Sequence, residues 1–573
     1  MFIHLHVHST YSFLNSASSV TSYLERAAQL GMPGLALTDH HNLSGTVELH
    51  KKARELGIKP IQGAEITMED GSHLTLVAEN NQGYQNLCSL ITASFANNQT
   101  KPYLTWEQLK QHHSHLIALT GCRRSAIWQA LLRRNYQAAE KYLQRLINIF
   151  GRNNLYLEMI NTYLPRTKQV LKWIEQLSQY TNVPYVATNN VHYATKDLFN
   201  LYDLLVCVRT GTTLNDIHPE RPLNGENYLA DPEEMKKRFR DYPQAIINTW
   251  EIFQRCQVSL VLNQNLFPKY PIPKGFVNSQ HFLRHLVQQG AIWRYGKITK
   301  KIKERLEHEL KIINQLKVND YFLVVWDIIQ YAKTNNIRYA GRGSAADSAV
   351  AYCLGITNVD SIRRGLLFER FLSLEQAQKP DIDIDFDASK RDQVADYVYQ
   401  KYGEGHVASV CTFATYHARS SIRDLGKAFG FSESQIKTLN QNIPSYTPAD
   451  GITKVLTVLP ELKNHPLKQT KYQQLIELCS HLTDVPRHMG THLGGLVVSE
   501  PLLTTVTPLQ KSAKGVLITQ FDKTTLEDLG LIKLDLLSLR TLSAVQEVEV
   551  TLKERGTSYE EIPLNDQATY QML

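Results

Sequence analysis

The densest chemistry in the sequence is the run Pro380-Asp381-Ile382-Asp383-Ile384-Asp385-Phe386-Asp387. Acidic and apolar residues alternate with a period of two. That puts Asp381, Asp383 and Asp385 on one face of a strand and turns the Ile and Phe side chains to the other. Three carboxylates within about 14 Å on one strand face repel one another. Divalent cations would remove the repulsion, and hard oxygen ligands suit Mg²⁺, which keeps waters and bridges to substrate phosphates. The plain structural alternative is an acidic edge strand that discourages aggregation.

Two further segments bear on that choice. Residues 341–348, GRGSAADS, follow the strand-like NIRYA and precede the helix-like SAVAYCLG. A small-residue turn at a helix N-terminus exposes backbone N–H groups and suits a triphosphate; tight helix packing is the structural alternative. No Gly-Lys-[Ser/Thr] occurs there, so it is not a Walker motif. Residues 530–537, GLIKLDLL, read as a strand with Lys533 and Asp535 on one face. A third carboxylate beside a lysine would complete a metal site next to a phosphate contact, although any amphipathic strand could show the pattern.

A second constellation stands at the front. His4-Leu5-His6-Val7-His8 aligns its histidines on one strand face, and Asp39, His40, Glu65, His73, Cys122 and His192 follow. Imidazole and carboxylate sets at strand ends are typical of multinuclear hydrolase sites.

The elements that must position these groups can be read coarsely. Residues 1–200 alternate short apolar runs with amphipathic helices, which predicts a parallel α/β barrel or sheet with polar residues gathered at the strand ends. Prolines 268, 271 and 273 mark a boundary near 265–275. The basic stretch KITKKIKERLEHELKIINQL then predicts a solvated helix packing its Ile and Leu stripe. Strands and helices mix again over 318–425, residues 415–490 read as mostly helical, and α/β patterning returns over 493–540.

The 573 residues suffice for roughly three or four domains at about 150 residues each. Hydrophobic residues make up 43% and charged ones 20%, which fits a globular chain with a normal core. Net charge is +7, compatible with a polyanionic partner but too small to identify one. Seven cysteines without a Cys-x-x-Cys pair argue against a disulfide framework or zinc finger. With no signal-like start and no apolar run of about 18 residues, the expectation is a cytoplasmic protein without membrane attachment.

In this order, the segments GRGSAADSAVAYCLGIT, LLFERFL, KPDIDIDFD, KRDQVADYVYQKYG, VCTFATYHARSSIRDLG, DVPRHMGTHLGGLVVSE and GLIKLDLLSLRTL resemble the DnaE-type bacterial DNA polymerase III α subunits, a family of C-family polymerases. The resemblance covers essentially the whole chain. It implies an α/β multidomain protein: a PHP (β/α)7-like barrel over 1–265 and a polymerase β-like nucleotidyltransferase palm over 266–414 and 493–542. A helical thumb would occupy 415–492, and 543–573 would begin the fingers. The implied catalytic and Mg²⁺-binding carboxylates are Asp383, Asp385 and Asp535, with two ions between them; Asp381 and Asp387 are not expected to bind directly. Arg342, Gly343, Ser344 and Lys533 would contact the nucleotide. Arg487, His488 and His492 fall in a segment similar to the family's primer–template-proximal motif.

For the barrel, the resemblance implies up to nine ligands, carried over to His6, His8, His40, Glu65, His73, Cys122 and His192 with Zn²⁺ or Mn²⁺, and Asp39 orienting His40. Asn15 and Asn190 stand where active members usually carry Asp, which predicts weakened metal binding and little 3′–5′ exonuclease activity. Implied partners are primer–template DNA, deoxynucleoside triphosphates and, for a full-length protein, the sliding clamp and other replisome proteins. The sequence reads as an amino-terminal fragment that extends primers poorly by itself. Two rival readings are an active PHP phosphoesterase and a non-catalytic DNA-binding assembly module.

Overall fold

In the computed structural model, residues 1–375, 380–557 and 566–573 are described; Lys379 of the KPDIDIDFD segment and residues 558–565 of the expected fingers start lie outside them. The chain divides into two compact units. The first comprises Met1–Val261, Cys411–Thr491 and Thr504–Thr525, and the second Leu262–Val410, His492–Leu503 and Leu526–Leu573.

The first unit is built on a six-stranded sheet in the order β1 (Gly34–Leu37), β2 (Lys59–Thr67), β3 (His73–Ala78), β4 (Leu116–Leu119), β5 (Leu155–Ile160) and β6 (Tyr185–Thr188). The parallel expectation holds for β1–β2, β4–β5 and β5–β6, whereas β3 runs antiparallel to β2 and β4. Only a short turn separates β2 from β3, too little chain for the crossover that a parallel pair needs. The histidine-rich start supplies the seventh stave. Its carbonyls at His4 and Val7 accept from Ala36 and Thr38 beside β1, and His8 and His6 exchange backbone bonds with Val191 beyond β6. Ile3, Leu5, Ala36, Ile61, Val77, Ile117, Leu119, Tyr156 and Val186 fill the interior.

The helical stretch 418–480 belongs to this unit as well. Tyr416, Ala418, Ile422 and Leu425 share one apolar cluster with Leu201, Leu204 and Leu205 of the helix Phe199–Thr210. The burial of those faces is what orders the short helices of 433–480, few of which would persist alone.

The second unit centres on a sheet in which β8 (Asp383–Asp387) lies between β7 (Tyr339–Arg342), antiparallel, and the strand Lys533–Leu539, parallel. The strand Pro486–Val498 pairs antiparallel with Lys533–Leu539 through Gly495–Val497. Ile382, Ile384 and Phe386 enter the core with Leu534 and Leu536, and the long helix Asn319–Thr334 covers it with Phe322, Val325 and Ile329. The period-two pattern is thus spent as predicted: apolar residues inward, carboxylates outward.

Candidate active site

Register brings the carboxylates together. Asp535 is the direct partner of Asp383 across the parallel pair, and Arg342 is its partner across the antiparallel one. Carboxylate oxygens of Asp381, Asp383 and Asp535 all lie within 4.8 Å of one another. Lys533 contacts Asp535 and stands 3.7 Å from Asp381. Asp385 is one pleat farther along, opposite Leu537, with its Oδ2 3.4 Å from Arg342 Nε. Asp381, set aside at the sequence level as a direct ligand, therefore belongs to the gathered trio, and Asp385 sits beside it. Asp387 is employed otherwise: it accepts bonds from Ser389 and Ser543, which hold its carboxyl below the usual range against the opposing effect of burial.

The electrostatics suit cations. Burial, together with the adjoining carboxylates of Asp535 and Asp381, pushes Asp383 up to about 6 despite Lys533 nearby. Burial also raises Asp385, against Arg342. Asp535 is 5% exposed, and its Oδ1 has no hydrogen-bond partner among the described residues. An orphaned carboxylate oxygen in a like-charged cluster is what a divalent ion satisfies.

The turn beside the cluster is tied down from both ends. Gly343 adopts φ +62°, and a Cβ placed there would stand 3.6 Å from Asp383 Oδ2, so the backbone can approach the carboxylates closely. Ser344 Oγ donates to the Asp381 carbonyl at 3.2 Å. Behind the turn the structure differs from the sequence expectation. The helix Ala349–Cys353 does not offer free N–H groups: those of Ala349 and Val350 donate to the buried Glu309, and that of Ala351 to Ser348 Oγ. Any phosphate at this place must be met by the turn itself and by side chains. His492 lies at the cluster, its Nδ1 accepting from Gly495 N–H at 2.8 Å and standing 3.8 Å from Asp535. Arg487 and His488 belong to the first unit, where Arg487 pairs with Asp424 at 2.6 Å and both line a cavity of about 380 Å³.

In the barrel, successive strand ends deliver the second set. Glu65 of β2 is the hub: its oxygens lie 3.5 Å from His6 Nε2, 3.5 Å from His8 Nε2, 3.2 Å from His40 Nδ1 and 3.1 Å from His73 Nδ1. Burial would raise Glu65, yet these imidazoles hold it well below its ordinary value. Cys122 Sγ stands 3.4 Å from His73 Nδ1. His192 stacks on His8 at 4.6 Å and bonds the Asn15 carbonyl at 2.6 Å.

Glu158 was not singled out from sequence. It is the lone acid in the buried strand LYLEMI, and it accepts from His6 Nδ1 at 2.6 Å. Burial disfavours charged His6, but Glu158 and Glu65 outweigh it and raise the imidazole to about 10. A charged residue inside a wholly apolar strand was the available signal. Asp39, expected to orient His40, instead accepts from Ser9 and Ser12. The two asparagines also face neighbours: Asn190 Oδ1 lies 3.2 Å from His8 Nε2, and Asn15 Oδ1 lies 3.5 Å from Arg209. His40, Glu65, His73, Cys122, Asn190 and His192 line a cavity of about 540 Å³.

The family described as "Bacterial DNA polymerase III alpha NTPase domain" matches residues 281–538, and the PHP domain family matches residues 4–162. Across its whole length the chain is 50% identical to the error-prone DNA polymerase of Symbiobacterium thermophilum, of which it covers 54%. It is likewise 36% identical to the DNA polymerase III subunit alpha of Bacillus subtilis, covering 52% of that protein, and 34% identical over 99% of its length to that of Treponema pallidum, covering 50%. The chain thus carries a PHP match and a DNA polymerase III α NTPase-domain match, and it is similar to DNA polymerase III α subunits along its whole length. It spans about half the length of these curated relatives. The PHP match falls in the barrel, and the polymerase match, of nucleotidyltransferase type, takes in the carboxylate-bearing strands. None of the described helices is long and apolar enough to cross a membrane.

Proposed function

We propose that this chain carries the nucleotidyl-transfer site of a DNA-directed DNA polymerase, which joins deoxynucleotides to a primer 3′-hydroxyl. The observation that most supports this is the convergence of carboxylates from two strands distant in sequence, Asp381 and Asp383 with Asp535, beside the turn that follows Arg342. In this reading Asp383, Asp385 and Asp535 would hold two Mg²⁺ ions. Bound there, the ions would supply charge that favours ionisation of the primer hydroxyl and departure of pyrophosphate.

The chain's own groups do the rest. Arg342 and Lys533 provide fixed positive charge for the triphosphate, and Gly343 and Ser344 let backbone approach it. His492 is oriented at the cluster by the Gly495 N–H, which donates to its Nδ1. Primer–template DNA and deoxynucleoside triphosphates are the substrates, the sliding clamp and other replisome proteins the further partners, and the cytoplasm the site of action. Primer extension by the full-length protein with Mg²⁺ and four nucleotides tests the proposal; absence of incorporation on a matched primer would end it.

The barrel receives a second assignment. With neutral Asn190 at His8 and neutral Asn15 at Arg209, the cluster lacks two negative charges that would bridge cations. We infer weak metal binding and a chiefly structural PHP domain. Mismatched primer ends incubated with Mn²⁺ or Zn²⁺ should stay essentially intact. Robust 3′–5′ degradation that disappears in a His6→Ala, His8→Ala variant would reverse the assignment.

A further inference from the structure

We infer that Glu309, with Arg305, is a positioning residue for the incoming nucleotide, acting through the backbone of the Gly343–Ser348 turn; the inference rests on the polymerase reading above. Glu309 lies on the helix Lys300–Gln315, is fully buried and reaches neither the carboxylate cluster nor solvent. Its two oxygens are both in use. Oε1 accepts from Ala349 N–H at 3.0 Å and from Arg305 Nε at 2.6 Å. Oε2 accepts from Ser348 Oγ at 2.8 Å and Val350 N–H at 3.0 Å. Arg305 then donates from one nitrogen to the carbonyls of Asp347 and Leu366, each at 3.1 Å.

This arrangement goes beyond an ordinary helix cap. The adjoining helix has only five residues and already carries Ser348 as its own N-cap. A buried carboxylate is a costly way to cap one more turn, and burial pushes the Glu309 carboxyl up despite its four donors. What the pair adds is an anchor for the rear of the turn, while Ser344 anchors its front to Asp381. The segment Gly343–Asp347 is thereby held between two fixed points, with Arg342 Nε 3.4 Å from Asp385.

Glutamine at 309 would turn an amide NH₂ toward the Ala349 or Val350 N–H and leave Arg305 without its counter-charge. The rear of the turn would shift while β8 and the strand Lys533–Leu539 keep their register. The loss should therefore fall on nucleotide capture and spare the carboxylates.

In the full-length protein, Glu309→Gln should raise the KM for deoxynucleoside triphosphate about tenfold or more. It should leave kcat within about threefold and primer–template affinity within about twofold. Glu309→Asp, which keeps the charge but loses one methylene, should recover part of the KM. An unchanged KM for Glu309→Gln overturns the inference, as does a loss confined to kcat. If Glu309→Gln fails to fold, Glu309→Asp decides: raised KM with preserved kcat supports positioning, and equal loss of both overturns it. A wild-type protein that binds primer–template but adds no nucleotide would bring down the polymerase reading itself, and this inference with it.

Discussion

Asp383→Asn or Asp535→Asn is expected to slow primer extension by the full-length protein about a thousandfold or more, equivalent to about 4 kcal/mol at the transition state. Asp383 stands between Asp535 and Arg342 in direct register, so its charge is felt by every other member of the cluster. An amide there removes one negative charge and offers the neighbouring carboxylates an N–H donor. The repulsion that makes the site receptive to cations is then satisfied internally. Primer–template affinity should change little, because duplex binding rests on Lys and Arg contacts to phosphate.

The comparison of Asp381→Asn with Asp385→Asn sharpens the result. Asp381 precedes β8, its side chain is 41% exposed, and it leans toward Lys533. Asp385 is 5% exposed and held within the strand beside Arg342. A carboxylate fixed by strand geometry is the better preorganised ligand. Asp385→Asn should therefore approach the loss seen for Asp383→Asn, with Asp381→Asn milder. Near-normal extension by Asp383→Asn would remove the two-metal reading altogether.

Gly530→Ala should destabilise the second unit by about 3 kcal/mol or more, from a strained backbone and a core clash together. Gly530 has φ +103°, and an added Cβ would lie 1.8 Å from the Gln264 carbonyl oxygen. That oxygen belongs to a backbone segment stitched to the same turn, with Asn263 N–H donating to the Asp528 carbonyl at 2.7 Å and Leu266 N–H to the Gly530 carbonyl at 3.3 Å. Neither side can yield without breaking these bonds, and the strand carrying Lys533 and Asp535 begins just beyond. Gly556→Ala is the control: its φ is +77° and no atom of the described residues lies within 4 Å of an added Cβ, so the cost should stay at about 1 kcal/mol. Equal urea midpoints for the two variants would contradict the account.

Much of the site was legible in the linear chain because its signals are local. Alternation placed Asp383 and Asp385 on one face of β8 and Ile384 and Phe386 on the other, since a strand's side-chain period is two whatever surrounds it. The same holds for Lys533 and Asp535, and for the strand–turn–helix order around Gly343. Helices were visible as amphipathic stripes.

What lay beyond local reading was the pairing of distant segments. That Asp535 faces Asp383 is a choice of register between strands some 150 residues apart, and register is set by which apolar faces bury together. The same packing drew Asp381 into the trio, turned Glu309 onto the helix behind the turn, and set Glu158 against His6. A buried acid on an apolar element reads only as an anomaly until its partners are known. Its role comes from donors that the fold alone delivers, because a desolvated carboxylate persists only where such donors converge on it.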